Sequence, residues 1–194
     1  RIPVTRLAGR EDQPAFSPDG RMVAFAWEKP GGAPGIWVQA ADQSSPREIS
    51  GGDAAYSSPA WSPDGRRLAY LRFRPDSGAL VVRSVDGGAE QKIADLFYTR
   101  FGLPNTHLDW SPDGRFLAVD DAPTAGAALS MFLIALDTGE KKKLTQPPGD
   151  IIGDVGPRFS PDGKTISFIR AFHRTSQELF TVPVAGGEPV QFTT

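Results

Sequence analysis

The sequence contains no cysteine, so it has neither a disulfide framework nor thiolate chemistry. Its only histidines are His107 and His173, which leaves no clustered set of zinc ligands. Its Asp-Gly pairs sit in tight bends and lack the alternating oxygen ligands of a calcium loop. There is no Gly-x-Ser-x-Gly nucleophile elbow and no Gly-x-x-x-x-Gly-Lys-Ser/Thr phosphate loop. Lysine and arginine (21) do not outnumber aspartate and glutamate (23), so no basic excess awaits a nucleic acid. No apolar run approaches the roughly 18 residues needed to cross a bilayer. No signal-peptide pattern is present either. These absences predict a chain with no catalytic residues, metal or cofactor, no nucleic-acid partner and no membrane insertion. It opens on Arg1 rather than methionine, which reads as a processed product or a stretch of something longer.

Four copies of one short pattern dominate what is present. Phe16-Ser17-Pro18-Asp19-Gly20-Arg21 recurs as Trp61-Ser62-Pro63-Asp64-Gly65-Arg66 and Trp110-Ser111-Pro112-Asp113-Gly114-Arg115. It returns once more as Phe159-Ser160-Pro161-Asp162-Gly163-Lys164. The serines are 45, 49 and 49 residues apart, a period that signals propeller blades or stacked repeats. Each copy is turn chemistry. Proline presets φ for the first turn position, aspartate bonds back to the local backbone, and glycine supplies the left-handed residue that closes the hairpin. Asp19, Gly20, Asp64, Gly65, Asp113, Gly114, Asp162 and Gly163 are therefore structural turn residues. The 21 glycines and 18 prolines, about a fifth of the chain, fit many short strands joined by turns.

Around each turn the order repeats. A short run ending in an aromatic residue precedes the turn, and an alternating apolar strand such as Met22–Trp27 follows. Then come a loop, a third strand, a glycine-rich bend and a short charged strand. Charge on that last strand protects an exposed edge, which is the reading given to Lys141, Lys142 and Lys143. The predicted fold is all-β, a propeller of four blades with four antiparallel strands each. The blades fall at about residues 10–50, 51–94, 95–145 and 146–194 of a single domain, and residues 3–7 form a spare outer strand. That spare strand implies an excised part of a larger ring, half of an eight-bladed homodimeric ring, or a compact four-bladed ring with a frayed terminus. An open arc would expose apolar blade faces and favour homodimer formation.

The four Ser-Pro-Asp-Gly hairpins, each flanked by an aromatic residue and by Arg or Lys, resemble the propeller repeats of the TolB-like family. The bends at Gly87-Gly88 and Gly186-Gly187 and the strand ends Lys143-Leu144-Thr145 and Gln191-Phe192-Thr193 carry the same likeness. The third unit departs from it, with Leu108 where the others have Pro14, Pro59 and Pro157, and with a long entry from Asp95 to His107. The resemblance implies a non-catalytic module for protein or peptide interaction or sensing, as in TolB and in regions attached to bacterial winged-helix regulators and serine/threonine kinases. It also admits the substrate-gating propeller of a prolyl-oligopeptidase-type peptidase, and it favours a periplasmic or extracytoplasmic setting.

Strand order places the turns on one face of the array and the more varied loops, 28–35, 72–78, 95–107, 120–127 and 170–177, on the other. Variable loops on a rigid scaffold are the usual place for recognition. Phe97, Tyr98, Arg100 and Phe101 are the candidate binding residues, being the residue types that anchor interfaces. Arg72, His173 and Arg174 are candidates for a basic rim.

Overall fold

The computed structural model describes residues 7–40, 45–52, 54–97, 108–173 and 175–192. Sixteen strands, with no helix among the described residues, form four sheets. The first sheet has β1 (Arg10–Phe16), β2 (Met22–Glu28), β3 (Gly35–Ala40) and β4 (Arg47–Ser50). The second has β5 (Ala55–Trp61), β6 (Arg67–Arg74), β7 (Ser77–Ser84) and β8 (Gln91–Leu96). The third has β9 (Leu108–Trp110), β10 (Phe116–Asp121), β11 (Ser130–Ala135) and β12 (Lys141–Lys143). The fourth has β13 (Gly153–Phe159), β14 (Thr165–His173), β15 (Ser176–Pro183) and β16 (Val190–Gln191). Within every sheet the strands lie in chain order and pair antiparallel, as propeller blades do.

The sheets stack face to face in sequence order. β5 packs on β1, β2 and β3, and also on β9; β13 packs on β9, β10 and β11. The alternation of each second strand explains the cores. Residues six and eight after the turn serine point to the preceding sheet, and residues seven and nine point to the next. Leu68 and Tyr70 thus share a core with Ala24, Ala26, Ile36 and Val38. Leu117 and Val119 join Ala69, Leu71 and Leu80, and Ile166 and Phe168 join Ala118, Met131 and Leu133. Bulky side chains from one sheet settle onto alanines of the one before. That is how two pleated surfaces approach closely without voids.

Five element boundaries differ from the sequence reading. Gly9–Gln13 is predicted to be a polar loop, yet β1 begins at Arg10, and β5 and β13 likewise begin before Pro59 and Pro157. A bulge at an equivalent place in each of these strands lets pairing continue past the proline. Its left-handed residue is Gln13 (φ 53°), Ser58 (φ 55°) or Gly156 (φ 70°). The predicted loops 72–78 and 170–177 are mostly strand. Arg74 pairs with Ser77 and His173 with Ser176, because alternation runs on through the buried Phe73 and Ala171. The predicted outer strand at 3–7 lies outside the described residues, apart from Leu7.

Candidate functional site

The four turns are built identically. The hydroxyl of Ser62 donates to Asp64 Oδ1 at 2.6 Å, the Arg66 amide donates to the same oxygen at 3.0 Å, and the Arg67 amide donates to Ser62 Oγ at 2.9 Å. Ser17, Ser111 and Ser160 make the same 2.6 Å bond to Asp19, Asp113 and Asp162. Gly20, Gly65, Gly114 and Gly163 all have φ between 69° and 71°, the region where a side chain is strained. The serine hydroxyl, then the backbone amide, hold all four carboxyls below their ordinary value near 3.8. The knots therefore stabilise the fold while the carboxylates are ionised, and the contribution is lost as pH falls through the lowered pKa. Asn at positions 19, 64, 113 and 162 keeps an acceptor oxygen but cannot titrate. We expect the fourfold Asp→Asn variant to lose less stability than the parent between about pH 5 and pH 2, measured by urea unfolding. Parallel pH profiles would show that the turns play no part in acid unfolding.

Links between sheets use the residues beside the turns. Trp61 Nε1 donates to Ala15 O at 2.9 Å, and Trp110 Nε1 donates to Ala60 O at 3.1 Å. The fourth unit has Phe159 at this position and lacks an indole N–H. There Asp109 supplies the link, its Oδ2 accepting from the Phe159 amide at 2.8 Å. Burial raises the Asp109 carboxyl above its ordinary value, partly offset by that amide and by the charge of Arg158. Between β5 and β1, the amide of the left-handed Ser58 donates to Gln13 Oε1 at 2.7 Å. At the outer edge, Arg47 Nη2 donates to Val85 O and Lys142 Nζ to Ala185 O, both at 2.7 Å. The Lys141–Lys143 run is thus partly engaged: Lys142 clips the next sheet, Lys141 pairs with the buried Asp121, and Lys143 is exposed.

On the face opposite the turns, Phe97 follows β8 and is 59% exposed. Its amide donates to Asp121 Oδ2 at 3.2 Å, so the third sheet holds the backbone of this exposed aromatic. Tyr98, Arg100 and Phe101 lie outside the described residues, as does Arg174. His173 is exposed at the end of β14, two sheets away from Phe97. Arg72 is committed inside the stack. Its Nη1 donates to Glu90 Oε2 at 2.8 Å, while Tyr70 donates to Glu90 Oε1 at 3.0 Å and the Ser50 hydroxyl bonds the same oxygen. Burial pushes the Tyr70 phenol above its ordinary value. Phe97 and His173 thus lie at the ends of their sheets away from the turns but two sheets apart, and Arg72 is paired with Glu90.

Sequence reasoning missed a cluster on the first sheet. Trp27 and Trp37 meet edge to face at 4.8 Å, Trp27 Nε1 donates to Ala8 O at 3.0 Å, and Lys29 Nζ stands 4.2 Å from the Trp37 ring. Trp27 and Trp37 read as ordinary strand aromatics, and only the register that opposes β2 to β3 brings them together. Among the described residues no group of three or more His, Cys, Asp or Glu could hold a metal ion, and no helix is long and apolar enough to cross a membrane.

Comparison with known proteins returns the same architecture. The family profile described as TolB beta propeller domain matches residues 47–194. The chain is 29% identical over 171 residues to the uncharacterized peptidase YuxL of Bacillus subtilis, a match that covers 86% of this chain and 23% of that protein. Among solved structures, a putative TolB from Agrobacterium tumefaciens superposes with a TM-score of 0.78 at 19% identity, over 98% of this chain and 68% of that one. A puromycin-hydrolyzing peptidase of Mycobacterium tuberculosis superposes with a TM-score of 0.75 at 18% identity, over 100% of this chain and 30% of that one. At such identities the structural likeness is one of fold. The chain spans less than a quarter of the length of the curated peptidase relative.

Proposed function

We propose that this chain, which belongs to the TolB beta propeller domain family, is a non-catalytic scaffold that binds a protein or peptide on the face opposite its turns. The observation that carries this reading is Phe97, a large aromatic side chain left exposed while its amide is pinned to the buried Asp121. An aromatic group on a fixed support loses little entropy on binding and makes a good interface anchor. Support for a non-catalytic role comes from the turn hydroxyls. Each donates to its own aspartate and sits in a strand-closing knot, not beside a general base. The test uses peptides selected against the chain from a displayed random library. Replacing Phe97, Tyr98 and Phe101 together with alanine is expected to weaken their binding about tenfold or more. Surface truncation at Phe97 itself should shift unfolding by less than about 0.5 kcal/mol. Unchanged binding in the triple variant would remove this face from consideration.

A second reading is favoured by the likeness to YuxL and to the puromycin-hydrolyzing peptidase, each of which this chain matches over less than a third of its length. In it the chain is the propeller that controls substrate access to a separate hydrolase domain. A nucleophile elbow elsewhere in the same longer polypeptide would support that reading, and a polypeptide without one would reject it.

A further inference from the structure

Three sheets place a cation over the same aromatic position, and only two of them lock it there. Trp37, Phe132 and Phe180 are equivalent, since each pairs with the residue eight places after its turn serine. The second sheet has Val81 at this position. Lys141 Nζ lies 4.5 Å from the Phe132 ring centroid, and the Arg170 guanidinium lies 4.5 Å from that of Phe180. A fully buried carboxylate fixes each cation: Asp121 holds Lys141, and Asp154 holds Arg170 at 2.7 Å. The two cationic side chains are accordingly only 21% and 14% exposed. In the first sheet the cation is Lys29, 51% exposed, and its carboxylate is Glu48, 46% exposed and 3.9 Å away. That separation is ionic contact beyond hydrogen-bond reach. Among the described residues the Lys29 ammonium has no acceptor closer than this.

We propose that the corner formed by Trp27, Trp37 and Glu48 is a binding site for a quaternary ammonium group, and that Lys29 occupies it as a displaceable stand-in. The two indoles meet at 70° and form adjoining walls, with Lys29 Nζ 5.3 Å from the Trp27 centroid and 4.2 Å from the Trp37 centroid. An aromatic face attracts a cation within roughly 6 Å, and indole does so best. Glu48 pairs with Trp37 across the strands and adds a negative wall. A primary ammonium is the poorer occupant. It carries three N–H donors, and here it satisfies them only by staying partly in water. A quaternary ammonium has no N–H to satisfy, so it keeps both rings and the carboxylate charge without that constraint. The walls are fixed, because Trp27 Nε1 donates to Ala8 O at 3.0 Å and Trp37 shares a core with the buried Val23 and Phe25. The cover is not. Lys29 heads a tight turn closed by backbone alone, the Gly32 amide donating to Lys29 O at 3.0 Å, so its side chain can swing away without loosening the loop. The site is separate from Phe97, which follows a strand of the second sheet.

The test titrates choline into the full chain and into Lys29→Ala, following the indole N–H resonances by NMR. Removing the stand-in is expected to tighten choline binding by about tenfold. The Trp27 and Trp37 resonances should move while those of Trp61 and Trp110, buried between sheets, stay still. Glu48→Gln in the Lys29→Ala background should weaken choline by about threefold. Both substitutions change exposed side chains, so the fold is kept. Two comparison ligands, the neutral isostere with a tert-butyl group in place of the trimethylammonium and the primary amine n-butylammonium, should each bind about fivefold or more weakly than choline. Equal binding of the neutral isostere would overturn the proposal by showing a merely apolar pocket, and equal binding of the primary amine would overturn the quaternary assignment. Equal choline affinity with and without Lys29, or binding that leaves the Trp27 and Trp37 resonances unmoved, would overturn it as well.

Discussion

Alanine in place of Trp110 is expected to destabilise the chain by about 3–5 kcal/mol, while alanine in place of Phe16 changes stability by less than about 0.5 kcal/mol. The two residues occupy the same place in the repeat, immediately before the turn serine. What separates them is the sheet in front. Trp110 is 5% exposed, lies in the core shared by the second and third sheets, and donates its indole N–H to Ala60 O. The Arg67 guanidinium also lies over its ring at 5.0 Å. Truncation removes that packing and the indole's hydrogen bond to Ala60 O, two costs that add. Phe16 is 62% exposed, so its truncation gives up little burial. Trp61, 8% exposed and bonded to Ala15 O, should behave like Trp110. Urea unfolding of the three alanine variants measures the contrast. At this chain length, a loss of 3 kcal/mol corresponds to roughly 6–12 °C in Tm. Equal losses at Phe16 and Trp110 would mean that sheet stacking is not what the aromatic residue supports.

The same contrast marks what sequence can and cannot show. The period, the turns and the four-strand order were legible because local chemistry sets them. Pro-Asp-Gly imposes its bend in any surroundings, and alternation marks each buried strand. The bulges were not legible, since Gln13 and Ser58 are not residues one expects at positive φ. They persist because tertiary pairing on both sides demands them, and the Gln13 side chain accepts the Ser58 amide. Nor was Asp109 legible. It looks like one more polar strand residue until Phe159, lacking an indole, is seen to need a partner. Arg72 reads as a rim candidate at the start of the varied loop 72–78, yet Glu90, 18 residues on, draws it inward. Phe97 stands where the topology predicts. The neighbours read with it, Tyr98, Arg100 and Phe101, fall outside the described residues.

Charged groups in the stack give the last expected result. Arg72 and Asp121 each lie ten residues after a turn serine, and their partners Glu90 and Lys141 take equivalent places at the head of the outer strand. The second and third sheets therefore hold the same ion pair with opposite polarity. If the site requires complementary charge and not a particular sign, reversing one member should be severe and reversing both should be tolerated. Lys141→Glu sets a second carboxylate against the fully buried Asp121, and Asp121→Arg sets two cations together beside Phe132. Breaking a buried pair from one side costs about 3–5 kcal/mol, and each single reversal should reach that range. The double variant restores the arrangement of the second sheet and should recover most of the loss. About 1 kcal/mol should remain lost, because the Phe97 amide no longer finds a carboxylate at Asp121. A double-mutant cycle by urea unfolding reads the coupling directly. Additive losses would show that the two partners act separately, and that the mirrored charges of neighbouring sheets are a coincidence of sequence.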